Sequence, residues 1–240
     1  MSRAEQGPDI RLEEVRLTLG HTRFHFHGSI QGGCITGVIG PSGSGKSSLL
    51  NLVSGFERPD TGRILFGGDD MTLDHPSKRP VSLIFQDNNL FGHLDLFTNI
   101  GLGIHPSLRL SKIERVAVSE ALARVGLAGM EKRKPATLSG GEKQRAAFAR
   151  ALVRQKPVLL MDEPFAALDP GLRFTMATLL AELHEETKST VLVVTHDPDE
   201  VRRIAHNVVF IDDGRILLNS AAADLPAHQD IPAVASFLAS

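Results

Sequence analysis

The sequence predicts an α/β fold with a parallel sheet at its centre, on three observations. Short runs rich in Val and Ile recur near both ends of the chain, at residues 35–39, 81–85, 158–161, 191–194 and 208–211. They alternate little with polar residues, which marks strands buried on both faces. Helical periodicity separates them: beyond Asp169-Pro170, the residues Leu172, Met176, Leu179, Leu180 and Leu183 share one helical face. Finally, a glycine-rich loop follows the run at 35–39, where α/β folds place phosphate chemistry.

Taken in order, the stretch before Gly40 reads as antiparallel strands, with Phe24 and Phe26 on one face. The helix after the glycine loop is apolar, through Leu49, Leu50, Leu52 and Val53. Residues 87–155 carry mostly helical signal, with helices expected at 112–125 and Gly140–Arg154. The last twenty residues offer one short helix, near 234–238. The expected organisation is a single domain of residues 1–240. Residues 1–86 and 156–240 make the α/β core with an N-terminal antiparallel β subdomain, and 87–155 an inserted helical subdomain.

Bulk properties fit. The 240 residues are 42% hydrophobic and 22% charged, enough for a real core. A net charge of −2 supplies no global basic field, so no nucleic-acid partner is expected. The one cysteine, Cys34, excludes an intrachain disulfide, and beside Ile35, Val38 and Ile39 it reads as a buried, inert thiol. Residues 1–9 are polar and lack the apolar stretch of a signal peptide. No apolar run approaches the roughly 18 residues that cross a bilayer. A soluble protein is expected, able to dock on a membrane partner.

Gly40-Pro41-Ser42-Gly43-Ser44-Gly45-Lys46-Ser47, followed by Ser48, matches the G-x4-G-K-[ST] phosphate loop. Its glycines let backbone N–H groups converge on an anion, and the helix beyond adds its positive end. Lys46 would neutralise the β- and γ-phosphates, and the Ser47 hydroxyl would hold Mg²⁺. The loop predicts nucleotide binding. The run at 158–161 ends in Asp162-Glu163. Acidic residues commonly begin helices, but beside a phosphate loop Asp162 suits Mg²⁺ through water, and Glu163 suits orienting an attacking water.

Leu138-Ser139-Gly140-Gly141-Glu142 opens a long helix, and Ser139 with Glu142 forms a capping box that needs no ligand. The two glycines are the odd feature, since each weakens a first turn by roughly 1 kcal/mol relative to Ala. They would bare a positively polarised helix end to another molecule's phosphate. Asp169-Pro170 reads as an N-cap and first helical residue, and Asp197-Pro198 repeats the pattern just after His196. Gln86, after the run at 81–85, reads by itself as a loop glutamine. His25 and His27 share a strand face, and without a nearby carboxylate or cysteine they make a poor metal site.

The phosphate loop, Gln86, Leu138 to Glu142, Asp162-Glu163, Ala167-Leu168-Asp169 and His196 occur in an order that resembles the ABC ATPases over nearly the whole chain. The resemblance implies a P-loop NTPase core of RecA type, hydrolysing ATP with Mg²⁺. It also implies an antiparallel homodimer in which Ser139, Gly140 and Gly141 of one subunit cover ATP held by the other. It implies that Gln86 touches Mg²⁺ and the attacking water, that His196 contacts the γ-phosphate, and that Asp169 reaches across the dimer. One departure stands out. Members usually stack an aromatic residue on adenine, yet this chain has no Tyr and no Trp, and Leu19 falls at that position. Phe24, or an apolar contact from Leu17 or Leu19, would have to substitute.

Arg79-Pro80-Val81-Ser82-Leu83-Ile84-Phe85-Gln86-Asp87-Asn88-Asn89-Leu90-Phe91, with Asn99-Ile100-Gly101-Leu102-Gly103 beyond, resembles the ATP-binding subunits of bacterial thiamine importers. The resemblance implies docking on an integral membrane permease at the cytoplasmic face of the inner membrane, served indirectly by a periplasmic binding protein. Two alternatives stay open: an importer of another small molecule or anion, and a non-transport ABC ATPase such as an iron–sulfur assembly type.

Overall fold

The computed structural model describes residues 6–85, 87 and 89–239. Two long strands open the chain, β1 (Ile10–Leu19) and β2 (Thr22–Ile30), followed by β3 (Ile35–Ile39) and helix α1 (Lys46–Ser54). A hairpin of β4 (Thr61–Phe66) and β5 (Asp69–Asp70) precedes β6 (Val81–Ile84). Three helices come next: α2 (Leu96–Ile104), α3 (Lys112–Arg124) and α4 (Gly140–Arg154). The rest runs β7 (Val158–Asp162), α5 (Pro170–Thr187), β8 (Thr190–Val194), α6 (Pro198–Ile204), β9 (Asn207–Asp212), β10 (Arg215–Ala221) and α7 (Pro232–Leu238).

The strands form one mixed sheet in the order β5-β4-β1-β2-β10-β9-β3-β8-β7-β6. Strands β9, β3, β8, β7 and β6 are mutually parallel, and β5, β4, β1 and β2 antiparallel. Strand β10 joins the halves, antiparallel to β9 and bridged in parallel to β2. Every residue of β3 and β8 is buried, which is why their sequences are nearly all apolar, with Thr36 and Thr190 the exceptions. Alternate residues feed two cores: Val191 and Val193 pack with α2 to α5, whereas Leu192 and Val194 pack with α1 and the antiparallel strands.

The apolar spacing of β1 demands a bulge. Ile10 and Leu12 are two apart, as are Val15 and Leu17, but Leu12 and Val15 are three apart, and all four are buried. The ladder to β2 shifts register between Leu12 and Val15, and Glu14 takes a left-handed φ of 50° to absorb the extra residue.

The expected strands at 35–39, 81–85, 158–161, 191–194 and 208–211 all form, as do both expected helices in the middle of the chain. Strands β4, β5 and β10 and helix α2 were not foreseen. In α2, Gly101 and Gly103 weaken the helical signal. Gly103 is needed for packing on α4, since a Cβ there would sit 2.5 Å from the Arg150 carbonyl. Two expectations need correction. Cys34 is half-buried rather than buried, although partial burial still pushes its thiol pKa up. And His25 and His27 do have a carboxylate: the β1 bulge brings Glu14 to 3.0 Å from His25 Nε2 and 3.0 Å from His27 Nδ1.

Candidate nucleotide site

The parallel strands bring the motifs to one edge, because β3, β7 and β8 all end there. Strand β3 leads into the loop at residues 40–45, β7 ends at Asp162, and β8 leads to Thr195 and His196. Register fixes their relative heights: Val38 and Asp162 both pair with Val194. Gln86 follows the neighbouring β6 and lies outside the described residues.

The loop at 40–45 closes tightly. A Cβ on Gly40 would sit 1.9 Å from the Ile211 carbonyl, and one on Gly45, where φ is 109°, would sit 2.8 Å from the Phe24 ring. Glycine is therefore dictated at both positions. The turn between β9 and β10 braces the loop from beneath through a Gly214 N–H bond to the Ser44 carbonyl, 3.0 Å. Pro41, Ser42 and Gly43 form the exposed crest, while Ser44 is buried with an unpartnered hydroxyl.

Lys46 begins α1 and donates to the carbonyls of Gly40, 2.8 Å, and Pro41, 2.7 Å. Burial pulls its ammonium pKa down, opposed by the negative charges of Glu163 and Asp162. Burial likewise pushes the Asp162 carboxyl up, opposed mainly by a hydrogen bond with Ser47. The pair of Asp162 and Ser47 is an all-oxygen donor set of the kind Mg²⁺ takes, so these residues fit that ion. Ser48, one residue on, is half-buried.

Glu163 follows Asp162 with a left-handed φ of 46°, held by its N–H bond to the Val194 carbonyl at 3.1 Å. A non-glycine residue there is strained, and such strain clusters at working sites. Its carboxylate lies 3.5 Å from His196 Nδ1, and the His196 ring is exposed. Gln144 on α4, which the sequence did not single out, is buried and ties this loop to the helix. Its Nε2 donates to the Glu163 carbonyl at 3.0 Å, and its Oε1 accepts from the Ala167 N–H at 3.2 Å. The residue lies five positions after Ser139 in a helix whose other buried residues are Ala146, Ala147, Phe148 and Ala149, and its type alone does not mark it as buried.

Ser139 caps α4 as expected. Its hydroxyl accepts from the Glu142 N–H, 3.2 Å, while the Glu142 carboxylate accepts from the Ser139 N–H, 2.7 Å. These bonds hold the Glu142 pKa down. Gly140 is exposed and Gly141 half-buried against Leu168, so the helix end is bare. Among the described residues, no hydrogen bond or ion pair joins Ser139, Gly140 or Gly141 to the loop at 40–48. Asp169 caps α5, accepting from the Leu172 N–H at 3.0 Å. Phe24 packs behind the loop with Phe26, and Leu17 is 3% exposed, whereas Leu19 at the end of β1 is 39% exposed.

A family model described as ABC transporter matches residues 25–166, more than half of the chain. The chain belongs to the ABC transporter family. It is 49% identical over 229 residues to the thiamine import ATP-binding protein ThiQ of Rhizobium meliloti (strain 1021), covering 95% of this chain and 96% of that one. It is 50% identical over 235 residues to the protein of the same name from Chelativorans sp. (strain BNC1), covering 98% and 96%. Among solved structures it is similar to a dimeric ATP-binding cassette in a post-hydrolysis state bound to ADP and Pi, with TM-score 0.80 and 30% identity over 89% of this chain and 98% of that one. A nucleotide-free cassette from an ABC transporter superposes with TM-score 0.83 at 24% identity, covering 96% and 98%, which supports the fold.

The surface of this ABC cassette also carries an aromatic groove. Beside β6 a cavity of about 750 Å³ is lined by Phe56, Phe85, Leu83, His75 and Arg154. Its aromatic rim stays open, with Phe56 56% exposed and the Phe56 and Phe85 rings 5.4 Å apart, and a neighbouring cavity shares Phe56 and Phe85 and adds Phe91, 47% exposed. Buried Asn99 shapes the loop carrying Phe91, bonding its N–H and carbonyl and the carbonyls of Leu94 and Asp95. Among the described residues, no helix is long and apolar enough to cross a membrane.

Proposed function

We propose that this chain is the ATP-hydrolysing subunit of a bacterial thiamine importer, acting as a homodimer docked on an integral membrane permease. The observation that carries the reading is near-full-length identity of about one half to relatives named as thiamine import ATP-binding proteins. No residue here contacts the vitamin in this scheme, since a periplasmic binding protein delivers it to the permease. The chain works peripherally, at the cytoplasmic face of the inner membrane.

In the proposed cycle the loop at 40–48 grips the triphosphate of ATP with backbone N–H groups, and Lys46 neutralises its terminal phosphates. Ser47, Gln86 and Asp162, the last through water, would hold Mg²⁺, which would supply positive charge to offset that of the phosphates. Glu163 orients the attacking water and accepts its proton, while His196 contacts the γ-phosphate. Ser139, Gly140, Gly141 and Glu142 present the bare end of α4 to nucleotide held by the partner, and Asp169 reaches the same interface. The bare, exposed tip of α4 supports this division of labour. ATP then favours the closed dimer, and product release reopens it. The open aromatic groove of Phe56, Phe85 and Phe91 is where the permease inserts, so that closure is transmitted.

The test is reconstitution. ATP turnover by the chain with its cognate permease in proteoliposomes should rise severalfold with thiamine-loaded binding protein and not with the empty protein. Stimulation by a different vitamin or anion alone would overturn the thiamine reading. Failure to copurify with any integral membrane protein would overturn the importer reading.

A further inference from the structure

Adjoining His196 is a polar cluster that the proposed cycle leaves without a task. Thr195, 4% exposed, donates its hydroxyl to Glu200 Oε2 at 2.5 Å and accepts from the Asp197 N–H at 3.0 Å. Glu200 lies on α6 and is 7% exposed. Arg173 comes from a different helix, the first turn of α5, yet its Nη1 donates to Asp197 Oδ2 at 2.9 Å and its Nε lies 3.6 Å from Glu200 Oε1. The backbone N–H of Arg173 bonds the Asp169 carbonyl at 2.8 Å, and Asp169 is the cap of that helix. One guanidinium thus joins the start of α5 to both carboxylates around the turn that carries His196.

A buried carboxylate persists as an ion only when paired and hydrogen-bonded. Glu200 is hydrogen-bonded by Thr195 on one oxygen and ion-paired on the other with Arg173 Nε, which lies 3.6 Å away and has no hydrogen-bond partner of its own. Removing either partner would leave α6 free to shift or Glu200 to take up a proton, and both would loosen the residue on either side of His196. The arrangement also has a direction. Asp169 stands where a second subunit is proposed to reach, so displacement of α5 would arrive at His196 through Arg173.

We propose that Arg173 and Glu200 are positioning residues for His196, fixing the turn of Thr195 and Asp197 and tying it to the Asp169 end of α5. This rests on the proposed contact of His196 with the γ-phosphate. Burial pushes the Glu200 pKa up and Asp197 adds to that, whereas Thr195, Arg173 and His196 oppose it. These groups face it from α5 and from the turn before α6, and Asp199 and Arg203 of α6 itself line the same cavity.

The experiment uses the full chain and compares Arg173→Met, Arg173→Lys, Glu200→Gln and His196→Ala, reading kcat and KM for ATP across pH 5 to 9 together with thermal unfolding. Arg173→Met should lower kcat by about 10- to 100-fold with KM within about threefold of wild type, the pattern of a group that acts in the transition state. Its acid limb should move to higher pH, because Glu200 without its cation holds a proton longer. Arg173→Lys should recover part of kcat, and Glu200→Gln, nearly isosteric, should lower kcat without the shifted limb. Wild-type kcat and pH profile in Arg173→Met and Glu200→Gln, with only thermal stability changed, would overturn the proposal and leave the cluster structural. The two failures are distinguishable: near-normal turnover in His196→Ala strikes the γ-phosphate reading, whereas loss there with normal Arg173→Met strikes the coupling alone.

Discussion

Glu163 Oε1 and His196 Nδ1 stand 3.5 Å apart, on residues that follow the adjacent strands β7 and β8. The contact depends on the left-handed backbone of Glu163, which turns its side chain out of the line of β7. Glu163→Gln keeps shape and hydrogen bonding but removes the base. ATP should still bind, turnover should fall by at least about 10²-fold, in keeping with loss of a positioned base, and a dimer should accumulate. Gel filtration with ATP and Mg²⁺ checks this, and a variant that stays monomeric would remove the main support for a water-orienting Glu163.

Asp162 is held at a cost in the absence of a cation. Its folded pKa is raised, first by burial and further by Glu163. A carboxyl of that kind contributes stability that is fully present below its unfolded pKa and lost as pH rises through the folded value. Asp162→Asn should therefore unfold a few degrees above wild type at pH 7 without nucleotide, roughly 2–4 °C for each kcal/mol recovered. The difference should close as pH falls toward the ordinary carboxylate value of about 3.9. The same variant should lose the extra stabilisation that Mg²⁺ gives over ATP alone. Equal melting temperatures at both pH values would contradict this account.

Leu19 sets the third expectation. With Phe24 and Leu17 buried, the exposed apolar group at the end of β1 is aliphatic. An aliphatic contact reads no base edge, so kcat/KM for ATP and GTP should agree within about tenfold. An aromatic partner stacked on a base contributes about 1–3 kcal/mol, so Leu19→Tyr should lower KM for both nucleotides by about fivefold or more. A strong ATP preference in the wild type would show that another residue reads the base.

Much of this was legible in the chain. Nearly unbroken apolar runs announced the parallel strands, because burial on both faces leaves no room for alternation. Gly40, Gly45, Lys46, Asp162 and Glu163 were legible because phosphate chemistry restricts residue type and spacing together. What escaped was set by tertiary contacts. Helix α2 was hidden by the glycines that let it approach α4. The carboxylate beside His25 and His27 was hidden because Glu14 reaches them through a bulge, across a strand pair. Gln144, Arg173 and Glu200 were hidden because a buried polar side chain looks like a surface one until its partners are known.

Arg79 shows the same principle with the largest expected effect. It is 1% exposed, and its guanidinium donates to the carbonyls of Leu52, 2.7 Å, Val53, 2.8 Å, Thr72, 3.0 Å, and Asp74, 3.1 Å. Burial pulls its pKa down, with Asp74 opposing. The first two acceptors are in the last turn of α1, where helix carbonyls are short of intrahelical partners, although the Leu52 carbonyl also accepts from the Gly55 N–H at 3.2 Å. A positive charge there also favours the helix dipole. Arg79 thereby fastens the far end of the phosphate-loop helix to the segment entering β6. Arg79→Met fills similar space but strands several buried carbonyls, each costing about 1–3 kcal/mol. A net loss of about 3–5 kcal/mol is expected, lowering the melting temperature by roughly 10 °C at 2–4 °C per kcal/mol. Arg79→Lys, with one ammonium for four acceptors, should fall between. A melting temperature for Arg79→Met within about 2 °C of wild type, on the same scale, would mean that water replaces the guanidinium and that α1 needs no such clamp.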